Sequence, residues 1–135
     1  MHLIVCLDDR DGMCFAGRRQ SMDRLVREQM LKQAGKSKLW MNAYSSRQFE
    51  SLQDNILVDE NYLNKAGEED YCFAENDAFV DYLGKIRTVI IYRWGRIYPS
   101  DLTFPSQILS ARKKVSTKEF SGYSHDEITE EVYEL

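Results

Sequence analysis

Two short apolar runs constrain this chain more than any other feature. His2–Leu7 is apolar and rich in Leu, Ile and Val, and Thr88–Trp94 is β-branched or aromatic almost throughout. Runs this short, apolar on successive residues, suit strands covered on both faces of a sheet. Both are therefore expected as interior strands, with a layer of structure on either side.

The segments between them alternate. Asp8-Asp9-Arg10-Asp11-Gly12 stops the first strand, and Asp9–Gln20 is expected as a polar, flexible loop. Ser21 is placed to cap a helix, with Met22, Leu25, Val26 and Met30 forming one apolar stripe and Gly35 ending it. Lys38–Met41 is a short second strand. Ser45 or Ser46 caps a brief helix through Leu52, with Phe49 and Leu52 inward. Asn55–Val58 is a third strand, and Tyr71–Ala74 a fourth. Asp77 opens a short helix whose inward residues are Phe79, Val80 and Leu83, ended by Gly84. Lys113–Phe120 and Glu127–Tyr133 make a closing antiparallel pair. In this last segment Ile128, Val132 and Leu135 have helical spacing while Thr129, Tyr133 and Leu135 share a strand face, so periodicity leaves helix and strand both open. The order predicts a single α/β domain with a mostly parallel sheet, an antiparallel C-terminal edge and flanking helices.

Composition narrows the function classes. At 135 residues the chain suits one domain, and 43% hydrophobic residues supply a sizeable core. No apolar run is long enough to span a bilayer or to serve as a signal sequence, so the expected location is the cytoplasm and no membrane partner is expected. Cys6, Cys14 and Cys72 are odd in number and lack a CxxC, as befits free thiols. A net charge of −4 argues against a dedicated nucleic-acid surface. Two histidines, His2 and His125, do not build the two-metal His-x-His-x-Asp-His cluster of ribonuclease Z-type nucleases.

The order of segments resembles a shortened dihydrofolate reductase. His2–Leu7 running into Asp9-Arg10-Asp11-Gly12-Met13 is similar to that family's opening strand and mobile loop. Lys38-Leu39-Trp40-Met41-Asn42-Ala43-Tyr44-Ser45 resembles the strand that leads to its Gly-Arg-x-Thr cofactor turn, and Asn55–Val58 the strand after it. Ser100-Asp101-Leu102-Thr103-Phe104-Pro105 looks like its Asp-Thr-x-Phe-Pro segment, and Glu119-Phe120, Ser124-His125 and Thr129–Glu134 its final hairpin. The resemblance implies that Asp23 occupies the place of the substrate-binding acid, facing an apolar cavity. Cys6, Arg18, Arg19, Trp40 and Tyr44 are then candidates to line the ligand pocket.

The departures bear on the cofactor. Asn42 and Ala43 stand where the family has glycine and arginine, which removes the cation expected near a 2′-phosphate. Asp59 and Glu60 follow the third strand where a phosphate-binding serine is expected, and carboxylates repel phosphate. Asp77–Trp94 has no room for the Gly-Gly turn that approaches the pyrophosphate. The expectation is a reductase-like domain without its NADPH site, acting as a small-molecule or protein-binding module. The alternatives are a divergent NADPH-dependent reductase and an RNA- or nucleotide-contacting accessory protein.

Other motifs fall short. Gly12-x-x-x-x-Gly17-Arg18-Arg19 lacks the lysine and hydroxyl of a P-loop. Asp9-x-Asp11-Gly12 misses the first and last ligand positions of a calcium loop. Tyr92-Arg93-Trp94-Gly95-Arg96 interleaves cations and aromatics as single-strand binders do, but aromatics packing inward and arginines pairing with acids is the plainer expectation. Nothing local joins Cys72 to His125. Ser124-His125-Asp126 cannot form a triad by adjacency, since triad members converge in space. Asp23 itself stays open between a proton-relaying acid and a helix-end charge.

Overall fold

The computed structural model describes residues 1–51 and 53–135. β1 (His2–Leu7) and β7 (Thr88–Arg93) lie side by side and parallel at the centre of a seven-stranded sheet. Leu3, Ile4, Val5 and Leu7 are fully buried, as are Val89 and Ile91, so the expectation of interior strands holds. Each such side chain contributes roughly 1.5–3 kcal/mol on burial. Those two strands therefore organise the molecule.

The strand order is β5 (Ile56–Val58), β4 (Leu39–Met41), β6 (Tyr71–Phe73), β1, β7, β10 (Ile128–Glu134) and β9 (Lys113–Phe120). The first five are parallel, and β10 runs antiparallel to both its neighbours. The C-terminal segment is thus a strand: ladder pairing with β7 decides what periodicity left open. β9 is exposed along almost its whole length, and its three lysines blunt a free edge.

Alternation along β1 sends Leu3, Val5 and Leu7 to one face, where Leu63, Phe79, Phe104 and Ile108 cover them. Ile4 faces the other side with Phe73, Tyr92 and Trp94, beneath α1 (Arg24–Ala34) and its buried Val26, Met30 and Ala34. Gly35 ends that helix in a left-handed conformation, φ +57°.

Several expectations are corrected. Asp23, not Ser21, caps α1, so the helix starts at Arg24 and Met22, before it, is 52% exposed. The stretch expected as a flexible loop instead holds β2 (Gly12–Phe15) and β3 (Arg18–Arg19), which pair with β8 (Leu102–Thr103) in a second, three-stranded sheet. Ala16 and Gly17 both have positive φ, 51° and 73°, the turn that matches the twist of a two-residue hairpin. α2 spans Ala43–Ser46 with Asn42 as its cap, shorter than expected; Phe49 is buried, while Leu52 lies outside the described residues. α3 (Tyr62–Lys65) falls in a stretch with no predicted helix. Asp77–Lys85 is 3-10 rather than α-helical, burying Phe79 but leaving Val80 and Leu83 exposed.

Candidate functional site

Asp23 stands where α1 meets the carboxyl ends of β1 and β7, the region in which open α/β sheets place their sites. Its carboxyl is 2% exposed and both oxygens are engaged. Oδ1 accepts from the backbone N–H of Leu25 at 2.9 Å, Val26 at 3.4 Å and Tyr123 at 3.0 Å. Oδ2 accepts from the Ser124 N–H at 2.9 Å, the Ser124 hydroxyl at 3.2 Å and His125 Nδ1 at 2.8 Å. Burial by itself would raise the Asp23 pKa. The Tyr123, His125, Ser124 and Leu25 donors more than offset that and hold it well below the ordinary carboxylate value.

The surroundings of Asp23 thus differ from the expected apolar cavity. Its neighbours are the first turn of its own helix and the 123–125 loop between β9 and β10. Six contacts saturate a carboxylate, which has about four lone-pair positions.

His125 is buried beside it, 3% exposed, with Trp94 stacked on the imidazole at 4.7 Å between ring centres. Its Nε2 lies 2.8 Å from Ser21 Oγ and 3.2 Å from the Tyr98 hydroxyl. Ser21, His125 and Asp23 therefore form a continuous hydrogen-bonded line. Ser21 was expected only as a cap. The signal that points to His125 is its solitude: one histidine inside a chain of this length, beside a glycine-containing turn. Ser21 and Asp23 are 104 and 102 residues away from it in sequence, so spacing gives no clue to them.

The five pocket candidates split into groups. Arg19 and Tyr44 come together: the guanidinium lies over the Tyr44 ring at 4.1 Å, and the Arg19 N–H donates to the Tyr44 hydroxyl at 3.0 Å. The same guanidinium grips Glu75 through Nε at 2.9 Å and Nη2 at 3.1 Å. Glu75 also accepts from Ser45 and Gln48, so Arg19 is committed to an internal network. Cys6 borders this group on β1. Burial pushes its thiol well above the usual range, Glu75 adding to the shift and Arg19 opposing it, so it remains a neutral thiol. Arg18 is exposed on the hairpin. Trp40 packs with the cluster on the opposite sheet face and donates to Asp70 at 3.0 Å. Strand alternation is the reason: Leu39 and Met41 face α1, so Trp40 cannot.

Two further carboxylates are buried. Asp8 is 1% exposed and accepts from the Arg10, Gly12 and Tyr98 N–H groups and from Gln20. Glu130, 5% exposed, accepts from the Tyr92 hydroxyl at 2.8 Å. Arg93 pairs with Asp11 at 2.8 Å and Glu131 at 3.1 Å, while Tyr92 and Trp94 pack inward, as the plainer expectation for that segment has it, but Arg96 donates to the Ser124 carbonyl at 3.2 Å rather than to an acid. Cys72 lies against Met1, not His125. Among the described residues no helix is long and apolar enough to cross a membrane, and no group of three or more His, Cys, Asp or Glu side chains is arranged for a metal.

The clefts of the molecule lie elsewhere. One cleft of about 400 Å³ opens beside α1, bordered by Arg24, Arg27, Glu28, Leu31, Phe49 and Glu50 among others. None of the five pocket candidates borders it.

The fold so described is that of the dihydrofolate reductases: one α/β domain, a mixed, mostly parallel sheet and antiparallel C-terminal strands. A dihydrofolate reductase from Enterococcus faecalis, solved as a complex with NADP(H) and RAB-propyl, superposes with a TM-score of 0.68 over 98% of this chain and 94% of that one. The two are 11% identical in sequence, a likeness of fold alone. No protein-family model and no curated protein matches the sequence.

Proposed function

We propose that this domain binds a small molecule on a dihydrofolate reductase-like framework and has given up the dinucleotide. The observation that carries the reading is Glu60, whose carboxylate accepts from the Ala43 backbone N–H at 2.8 Å. By the resemblance, β4 leads into the cofactor turn, and the N–H groups opening the next helix are natural phosphate donors. In this chain the first of them already holds a carboxylate. Asp59 stands beside it, paired with Lys65 and kept below the usual carboxylate range by Lys65 and the Asn61 N–H. Ala43 supplies no cation. An arriving phosphate would have to displace one negative group and face a second.

The ligand itself has a candidate seat in the cleft along α1. Leu31 and Phe49 offer apolar walls, and Arg24 and Arg27 offer cations, with Glu28 and Glu50 setting limits on the anionic charge accepted. That combination suits a compact molecule with an apolar body and a single carboxylate. Titration with NADPH, followed by calorimetry or fluorescence quenching, is expected to give millimolar binding or weaker. Micromolar binding would establish the other reading, a reductase with altered cofactor contacts.

A further inference from the structure

We infer that Ser21, His125 and Asp23 form an acyl-transfer triad, with Ser21 as nucleophile, acting on small activated esters or thioesters. The inference stands apart from the ligand cleft and from the fate of the dinucleotide seat, since none of its three residues takes part in either.

The geometry fixes the roles. Asp23 is an anion held by backbone and side-chain donors, so the proton shared with His125 sits on Nδ1. That leaves the Nε2 lone pair directed at hydroxyl groups, and Ser21 Oγ is the nearer at 2.8 Å. A hydroxyl bonded to an imidazole that a buried carboxylate orients is the arrangement that activates a serine. Trp94 clamps the imidazole from one face, and the Asp23 cage fixes the loop that carries it. Preorganisation of this kind, with acid and base nearly sealed and the serine half-buried at their edge, suits a nucleophile that meets substrate at the surface.

The rim indicates the substrate. Met22, Ile97 and Tyr123 are 52%, 56% and 69% exposed, and they are the chain neighbours of Ser21, Tyr98 and Ser124. Tyr123 also carries the Arg24 guanidinium over its ring at 4.7 Å, and exposed apolar side chains next in the chain to these polar residues suit a small acyl group. In the reaction, Ser21 Oγ adds to the acyl carbon while Nε2 takes its proton. The bond to the leaving alkoxide or thiolate breaks, and Nε2–H protonates that group as it departs. Water then attacks the acyl-serine with His125 again accepting the proton, releasing the acid and restoring the hydroxyl. No oxidant, reductant or metal enters the balance. Tyr98 shares Nε2 at 3.2 Å and is a positioning residue in this scheme.

The test uses the intact protein with p-nitrophenyl acetate and a fluorophosphonate probe. The expected results are hydrolysis above the buffer rate and one probe adduct per chain, located on Ser21 by peptide mass spectrometry. Ser21→Ala should lower hydrolysis by about 10²-fold or more while still melting cooperatively, because the Asp23 cage and the Trp94 stack do not involve Ser21 and Tyr98 still reaches His125 Nε2. Tyr98→Phe should retain the adduct on Ser21. A wild-type protein that takes no adduct at Ser21, or a Ser21→Ala variant that hydrolyses as well as the wild type, would overturn the inference. An adduct on Tyr98 in its place would do the same.

Discussion

Asp23 and Glu60 both bind backbone N–H groups at the start of a helix, yet one is sealed in protein and the other is open to water. Asp23 holds α1, the 123–125 loop and His125 together through six contacts to a carboxylate that is itself buried. Glu60 makes one contact on the surface, where water offers an equivalent partner. The same chemistry therefore does two different things. Burial makes Asp23 a structural keystone; exposure makes Glu60 an occupant that a competitor has to displace.

The largest effect should come from Asp23→Ala. It strips the Tyr123 and Ser124 N–H groups of their acceptor and leaves His125 Nδ1 only the longer Ser124 Oγ contact at 3.2 Å, and should cost about 3–5 kcal/mol, the range for breaking a buried pair. Urea unfolding measures this. A loss near 0.3–1 kcal/mol, the figure for a simple helix-end charge, would erase the distinction between the two carboxylates.

Acid provides the second probe. Because the folded pKa of Asp23 lies below its unfolded value of roughly 4, its contribution is fully present above that pH. It is lost as pH falls from there through the depressed folded value. Asp8 shifts in the same direction: burial opposes the change and the Gly12, Arg10 and Tyr98 N–H donors outweigh it. Stability should thus decline steeply below about pH 4, and Asp23→Asn should flatten that decline when melting temperatures are compared across pH.

A smaller perturbation leaves the carboxylate in place. A Cβ on Gly122 would lie 2.6 Å from Asp23 Oδ2 and 3.0 Å from the His125 carbonyl oxygen. Gly122→Ala should therefore destabilise by roughly 1–3 kcal/mol through overpacking. An unaffected midpoint in chemical denaturation would mean the cage is looser than its distances imply. Glu60→Gln should change least: an unaltered melting curve, with any gain confined to the binding of phosphate-bearing ligands, as titration with NADPH would register. A clear drop in melting temperature would show that the exposed carboxylate carries structural weight after all.

How much of this was legible in the chain follows from the range of each interaction. β1 and β7 were readable because a strand buried on both faces must be apolar at successive residues, a local property. Gly35 was readable because a left-handed helix end favours glycine. The parallel order, the antiparallel edge and the likeness to dihydrofolate reductases came from the succession of such segments. The β2–β3 hairpin was missed because Ala16 at positive φ carries no clear turn signature. The position of the α1 cap was misjudged by two residues because Ser21 and Asp23 are both good capping types. Packing against the 123–125 loop chose between them.

By itself, then, the sequence determined which segments are strands or helices wherever burial imposes a local pattern. Tertiary structure alone decided that Trp40 faces away from Cys6, that Arg19 spends its charge on Glu75, and that Ser21, Asp23 and His125 meet. Those outcomes depend on strand alternation and on contacts about a hundred residues apart in the chain. No local periodicity encodes such contacts, because the free energy that selects them appears only when the sheet has closed and water has left the space between its loops.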